Sequence, residues 1–200
     1  MNNDFQSALK IFQKKHGVMR SSQAFEEGIQ PHTLYQMRDS GLLVQEGRGL
    51  YRLASEQVWS DPDLAIVSLL VPKGVICLIS ALYFHQLTTQ IPHEVYIALP
   101  KDSEKPRLKY PPTRFFWISP EPFKAGVEKH LLDNVEVKVY NVAKTITDCF
   151  KFRNKIGMDV ALEALREGLR QKKCTPNEIL RFARVNRVER VMLPYLEALT

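Results

Sequence analysis

The sequence contains few cysteines and no motif built from them. Its 200 residues include three, Cys77, Cys149 and Cys174, which lie far apart and form no CxxC pair. A sparse, odd number of cysteines argues against a disulfide framework and is typical of a chain in a reducing compartment. No histidine is spaced from them as in a zinc site. We therefore expect a cytoplasmic protein that holds no metal and no cofactor.

Long apolar runs and phosphate-binding loops are also missing. The longest apolar run, LAIVSLLVPKGVICLISALYF, is interrupted by Pro72, Lys73 and Gly74, so it cannot cross a bilayer as one helix. The first residues, MNNDFQSALK, lack the basic and then apolar pattern of a signal peptide. No glycine-rich loop lies between a strand and a helix. We expect no membrane partner.

Basic residues are in excess, and they are unevenly distributed. The chain carries 28 basic and 22 acidic residues, a net charge of +6. Residues 1–53 carry a net charge of +2, residues 54–125 are neutral, and residues 126–200 carry +4. An excess of this size is compatible with nucleic-acid binding, but an ordinary basic protein has it too. The 44% of hydrophobic residues suffice for the core of one domain or two small ones.

The first fifty residues predict three short helices. Apolar residues at helical spacing predict the first over residues 4–15. Ser21 or Ser22 is expected to cap the second. Pro31 suits the first turn of the third, where its missing N–H is not needed, and Gly41 is expected to end that helix in the left-handed conformation.

A hairpin is predicted directly after these helices. In LLVQEGRGLYRLA, two segments in which apolar and polar residues alternate lie on either side of Gly47 and Gly49. This pattern predicts a β-hairpin with Arg48 at its tip. Three helices followed by a hairpin is the pattern of a winged helix-turn-helix, in which the third helix enters the major groove of DNA. We predict such a DNA-binding domain over residues 1–54.

The third predicted helix has side chains able to contact bases. With Leu34 and Met37 buried, its outer face is rich in Gln, His, Thr, Tyr and Arg. Glutamine can pair with adenine and arginine with guanine, while threonine can contact a base edge. The arginines of the hairpin suit phosphates or a narrow minor groove, and a helix N-terminus can hold a phosphate. The predicted DNA-binding residues are Ser21, Ser22, Gln30, His32, Thr33, Tyr35, Gln36, Arg38, Arg48 and Arg52.

The rest of the chain predicts an α+β fold with a helical C-terminal end. Residues 54–62 are expected to be a linker, and residues 62–200 a mixed α/β domain. Strands are predicted at VICLIS, HEVYIALP, RFFWIS and NVEVKVYN. Helices are predicted at DPDLAIVSLL, ALYFHQL and EPFKAGVEKHLL and through most of the last sixty residues. Thr175 and Glu178 form a capping box.

Two sets of charged residues in this second part of the chain can each be interpreted in more than one way. A basic surface able to hold DNA phosphates or an RNA is predicted from Lys144, Lys151, Arg153, Lys155, Arg181, Arg184 and Arg187. The same residues also fit a solvated face partly paired with acids. Glu136 and Lys138, with Glu121 as a second carboxylate, match a metal-dependent nuclease site, but they equally fit the outward positions of a half-buried strand.

The order of these segments resembles the AbiEi-type antitoxins of type IV toxin–antitoxin systems, a family of transcriptional regulators. The resemblance is carried by Gly28-Ile29, Leu34, Gly41, Gly49-Leu50-Tyr51, Ser80-Ala81-Leu82 with His85, and Lys144-Thr145-Ile146 with Asp148. Lys144 stands where the family commonly has arginine, and Gln86 where glycine is common.

The resemblance implies a repressor and antitoxin without enzymatic activity. The N-terminal domain would bind inverted repeats upstream of its own operon. The C-terminal domain would counter a nucleotidyltransferase-like toxin without forming a stable complex with it. Two alternatives stay open: a winged-helix adaptor that binds protein, and a metal-dependent nuclease.

Overall fold

The structure, a computed structural model, describes residues 3–56 and 59–199. The chain divides into two compact units, residues 1–62 and residues 63–200. The elements before Pro62 are α1 (Asn3–Lys14), β1 (Val18–Arg20), α2 (Ser21–Glu26), α3 (Pro31–Asp39), β2 (Leu43–Gly47) and β3 (Leu50–Leu53).

The first unit combines its three helices with a three-stranded antiparallel sheet. The strand order is β1-β3-β2, so the central strand is β3. The predicted hairpin is confirmed: β2 pairs with β3, and Gly49, at φ +71°, lies in the turn between them. Strand β1 was not predicted, because three residues between two helices show no alternation that could identify them.

Apolar side chains from all three helices and the sheet form the core of this unit. Phe12 of α1 and Leu53 of β3 are buried in it. Leu34 and Met37 of α3 are both fully buried, as their spacing predicts. Because one side of α3 is used for packing, its opposite side is left to solvent.

The second unit is a mixed sheet with helices, which agrees with the predicted α+β class and helical end. The elements from Pro62 onward are α4 (Pro62–Leu70), β4 (Val75–Ile76), α5 (Leu78–Phe84), β5 (Val95–Pro100), β6 (Thr113–Ile118), α6 (Pro120–Lys124), β7 (Val127–Leu132), β8 (Val135–Tyr140), α7 (Val142–Lys151), α8 (Arg153–Ile156), α9 (Met158–Arg170), α10 (Pro176–Asn186) and α11 (Glu189–Glu197). The strand order is β6-β5-β4-β8-β7. Strands β5/β6 and β4/β8 pair in parallel, and β4/β5 and β7/β8 pair antiparallel.

Two predicted elements of the second unit are wrong in extent. The helix expected over EPFKAGVEKHLL ends at Lys124, and its second half is the strand β7. The break is at Gly126, at φ +72°, where an added Cβ would lie 2.7 Å from the Cβ of Lys144. The strand expected over VICLIS is only Val75–Ile76, because Cys77 already caps α5.

Helix α7 lies at the centre of the second unit. Every residue from Ala143 to Phe150 is buried, and the helix contacts α5, α9 and α10. Its N-terminus is capped by Asn141, whose side chain accepts a hydrogen bond from the N–H of Lys144 at 2.9 Å. Polar residues in this helix must therefore find their partners inside the protein.

None of the helices in the described part of the chain has both the length and the apolar character needed to cross a membrane.

Candidate nucleic-acid interface

The outer face of α3 presents a row of polar and aromatic side chains. His32, Tyr35 and Gln36 are exposed, and their spacing places them on one face of the helix. Gln30, the N-cap residue, is exposed beside them. The only acidic residue of this helix is Asp39, its last residue. Such a face is suited to hydrogen bonding with base edges.

Arg38 already has partners within α3. Its Nε donates to Oδ1 of Asp39 at 2.8 Å, and its guanidinium carbon lies 5.4 Å from the centre of the Tyr35 ring. The hydrogen bond to Asp39 raises the pKa of Arg38. A contact between Arg38 and DNA would therefore replace Asp39 with a base or a phosphate.

The prediction that Thr33 faces DNA is wrong. Thr33 is buried, whereas His32 is exposed. Residues four apart lie above one another on a helix, so Thr33 lies on the inner face with Met37. It lines a small cavity together with Ala8 and Ile11 of α1.

The prediction that Arg52 holds phosphate is also wrong. Arg52 is only 8% exposed, because its strand β3 lies between two others. Its Nε donates to Glu46 at 2.7 Å, and its Nη1 donates to the carbonyl oxygens of Leu53 and Glu56 at 3.1 and 2.9 Å. Its guanidinium carbon lies 5.7 Å from the centre of the Trp59 ring. Arg52 therefore stabilises the hairpin and the chain that follows it.

The hairpin tip and the start of α2 are joined by a hydrogen bond. The N–H of Ser21 donates to the carbonyl oxygen of Gly49 at 2.8 Å, so this N–H is unavailable to a phosphate. The N-cap of α2 is Arg20 and not Ser21 or Ser22, which corrects the predicted cap. Ser22 and Arg48 are both exposed. Arg48 remains the cationic group of the hairpin turn.

The basic residues of the second unit do not all lie at its surface. Lys144 is fully buried, which overturns its place in the predicted surface. Arg153 is half-buried and donates to the carbonyl oxygen of Phe150 at 2.8 Å. Arg184 pairs with Glu189 at 2.8 Å. The exposed members of the predicted set are Lys151, Lys155, Arg181, Arg184 and Arg187.

Lys144 forms a buried ion pair within α7. Its Nζ lies 2.5 and 2.6 Å from the two carboxylate oxygens of Asp148, and 4.1 Å from the centre of the Tyr140 ring. Asn186 of α10 donates to Asp148 Oδ1 and to Thr147 Oγ1, both at 2.8 Å. Burial raises the pKa of Asp148, and the hydrogen bonds and charge of Lys144 oppose the rise. The four-residue spacing of Lys144 and Asp148 within one helix is the sequence signal for this pair.

Two of the three residues of the nuclease alternative, Glu136 and Lys138, have other partners. Glu136 pairs with Lys129 at 3.1 Å, and Lys138 donates to the carbonyl oxygen of Pro72 at 2.9 Å. Among the residues that the structure describes, no three His, Cys, Asp or Glu side chains are grouped as metal ligands. His85 is a packed residue, with its Nε2 2.7 Å from the carbonyl oxygen of Tyr140.

Comparison with known proteins finds a family match within the first unit. Residues 6–54 match the family described as transcriptional regulator, AbiEi antitoxin, which confirms the resemblance for this segment. No protein of curated function matches the chain in sequence. Among solved structures, the chain is similar to the Rv2827c protein of Mycobacterium tuberculosis, with a TM-score of 0.60 and 15% identity over 95% of this chain and 75% of that one. At this identity the likeness concerns the fold. The family match supports a role as an antitoxin or transcriptional regulator.

Proposed function

We propose that this chain, whose residues 6–54 match the AbiEi antitoxin regulators, is a DNA-binding autorepressor and antitoxin of a type IV toxin–antitoxin system. The observation that carries the proposal is the exposed, acid-poor face of α3 in a unit that also presents the cationic turn of the hairpin. Residues 1–54 would form a winged helix-turn-helix, with α3 as its recognition helix and β2–β3 as its wing.

Base recognition would rest on the exposed side chains of α3. Gln36 can form two hydrogen bonds with adenine, and His32 and Tyr35 can contact neighbouring bases or the backbone. Arg48 would neutralise a phosphate beside the wing. The DNA partner would be inverted repeats upstream of the chain's own operon.

The second unit would carry the antitoxin activity. It would counter a nucleotidyltransferase-like toxin in the cytoplasm without a stable complex between the two proteins. The proposal gives it no catalytic role, and Glu136 and Lys138 of the nuclease alternative contact Lys129 and the carbonyl oxygen of Pro72.

The DNA-binding half is tested by a fluorescence anisotropy titration with the upstream DNA, at two salt concentrations and with scrambled competitor DNA. We expect competitor-resistant binding that weakens as salt rises. Gln36→Ala should lose about 1–3 kcal/mol of discrimination at particular base pairs. Gln13→Ala is the matched control, because Gln13 is an exposed glutamine on α1.

Equal, salt-insensitive binding to cognate and scrambled DNA would instead favour the protein-binding adaptor. The antitoxin half is tested separately, by co-expression with a nucleotidyltransferase-like toxin. Restored growth is expected from the full chain, and a toxin that remains lethal would refute this half alone.

A further inference from the structure

The second unit contains a cavity of about 480 Å³ that none of the roles above uses. It lies between the end of β6, α6, the second half of α7 and the end of α10. Sites for small ligands usually have about 300–1,000 Å³. All of its lining residues lie within the second unit.

Aromatic rings form part of the cavity wall. Trp117 is 40% exposed, and its Nε1 donates to the carbonyl oxygen of Ser103 at 2.9 Å, which fixes the indole. Phe152 also lines the cavity and packs edge-on against Phe116, with ring centres 5.1 Å apart. Indole and phenyl rings held in this way can stack on a flat ligand.

The buried polar lining of the cavity offers hydrogen-bond acceptors. Asp148 and Asn186 both line it, and both are at least 97% buried. Asp148 accepts three hydrogen bonds, and an ionised carboxylate has about four acceptor positions. Asn186 uses both amide hydrogens on Thr147 and Asp148, and no residue in the described part of the chain donates to its carbonyl oxygen. The lining is therefore complementary to a group that carries two hydrogens.

Exposed charges complete the lining. Lys151 and Arg187 supply two cations, and Glu121 supplies one carboxylate. Cations of this kind bind phosphate, and a carboxylate can accept a hydrogen bond from a sugar hydroxyl.

We propose that this cavity binds a nucleotide with an amino-bearing base. The base would stack on Trp117 and direct its amino group to Asp148 and Asn186. The ribose would contact Glu121, and the phosphate would be held by Lys151 and Arg187. A free mononucleotide and the terminal nucleotide of an RNA present the same chemistry.

Isothermal titration of the full chain with AMP, GMP, CMP and UMP tests the site, with ribose 5-phosphate and inorganic phosphate as partial ligands. At least one of AMP, GMP and CMP should bind about tenfold more tightly than UMP, whose base has no amino group, and than either partial ligand. No binding of any nucleotide at about 1 mM, or equal binding of phosphate alone, would overturn the proposal.

Variants locate the binding site. Lys151→Ala and Trp117→Ala each change an exposed side chain, and each should weaken nucleotide binding about tenfold. Arg166→Ala is the matched control, since Arg166 is exposed on α9 and does not line the cavity. Unchanged affinity in both cavity variants, with circular dichroism spectra like that of the wild type, would refute the site.

Two further experiments distinguish a free nucleotide from an RNA end as the ligand, and distinguish this proposal from the DNA-binding proposal. An oligoribonucleotide that ends in the preferred nucleotide and binds more tightly, with the same sensitivity to Lys151→Ala, would identify an RNA end as the ligand. Equal affinity for the oligoribonucleotide and the mononucleotide would identify the free nucleotide as the ligand. Gln36→Ala should leave nucleotide binding unchanged, so failure of the DNA-binding proposal and failure of this one are distinguishable.

Discussion

Lys144 and Asp148 show how a charged pair can occupy the centre of a core helix. Taking either charge out of water costs several kcal/mol. Two short contacts between the side chains, the amide of Asn186 and the face of the Tyr140 ring offset that cost. Because each partner compensates the other, removing one is expected to cost more than removing both.

Lys144→Met should destabilise the protein by about 3–5 kcal/mol, because it leaves the Asp148 carboxylate buried without its cation. The double variant Lys144→Met/Asp148→Leu should recover most of this loss. Urea unfolding measures both. Lys151→Ala, at the exposed C-terminal end of the same helix, is the control and should change stability by less than about 0.5 kcal/mol. A double variant as unstable as the single one would contradict the compensation.

At the scale of the elements, hydrogen bonds join the chain after α9 to the residues that end α5. Gln171 donates to the carbonyl oxygen of Gln86 at 3.1 Å and to Glu167 at 2.9 Å, and Lys173 donates to the carbonyl oxygen of His85. Hydrogen bonds from Arg170 and Gln171 lower the pKa of Glu167 from 4.5 to about 2. Protonation of Glu167 at low pH would therefore weaken one of the two hydrogen bonds that hold the Gln171 side chain.

A lowered pKa in the folded state means that the stabilisation by Glu167 is fully present above about pH 4.5. It is lost as the pH falls through about 2. We expect the wild type to lose more stability than Glu167→Gln across this window, by a small amount because the pair is at the surface. Urea midpoints between these pH values measure the difference. Glu163→Gln, an exposed change on the same helix, is the control; parallel curves for wild type and Glu167→Gln would refute the assignment.

The hairpin contains two arginines with different expected roles. Arg52→Ala should cost about 1–3 kcal/mol of stability, because Glu46 and two carbonyl oxygens lose their buried donor. Arg48→Ala should leave stability unchanged and lower the salt dependence of DNA binding by about one counterion. Thermal unfolding of both variants measures the change in stability, and anisotropy titrations of both measure the salt dependence of DNA binding. A lower salt dependence in folded Arg52→Ala would show that the roles are assigned wrongly.

Helix ends could be predicted where proline or glycine fixes them, and the burial of apolar residues followed from their spacing, but the burial of individual polar residues could not be predicted. Pro31 and Gly41 bracket α3 as expected, because proline and glycine act through their own backbone. The four-residue spacing between Thr33 and Met37 indicates that Thr33 packs inward, whereas nothing in the local pattern around Arg52 indicates that β1 pairs with the free edge of β3. The strand β7 was missed because its pairing with β8 overrides a helical pattern.

At the scale of the whole molecule, the two units have separate hydrophobic cores. The core that contains Leu34 and the core that contains Ile146 share no residue. Each unit therefore has its own source of stability. Charge composition predicted the basic character of both ends of the chain, but only the packing of α7 shows that Lys144 is removed from the surface.

Leu34→Ala should destabilise the first unit by about 2–5 kcal/mol, since it leaves a cavity at a fully buried position. Amide hydrogen exchange should then accelerate in residues 3–56 and not in α7 or α9. Ile146→Ala is the reciprocal control, with exchange accelerated in the second unit. Acceleration of both units by either substitution would contradict the independence of the cores.

The hydrogen bond between the N–H of Ser21 and the carbonyl oxygen of Gly49 fixes the hairpin tip relative to α2 in the protein alone. Ordering the tip on binding then costs little entropy. Since both groups belong to the backbone, side chains on α3 and at position 48 can change without altering this bond. If the proposed DNA-binding role holds, the base-contacting side chains could therefore change during evolution while the position of the hairpin tip relative to α2 stays constant.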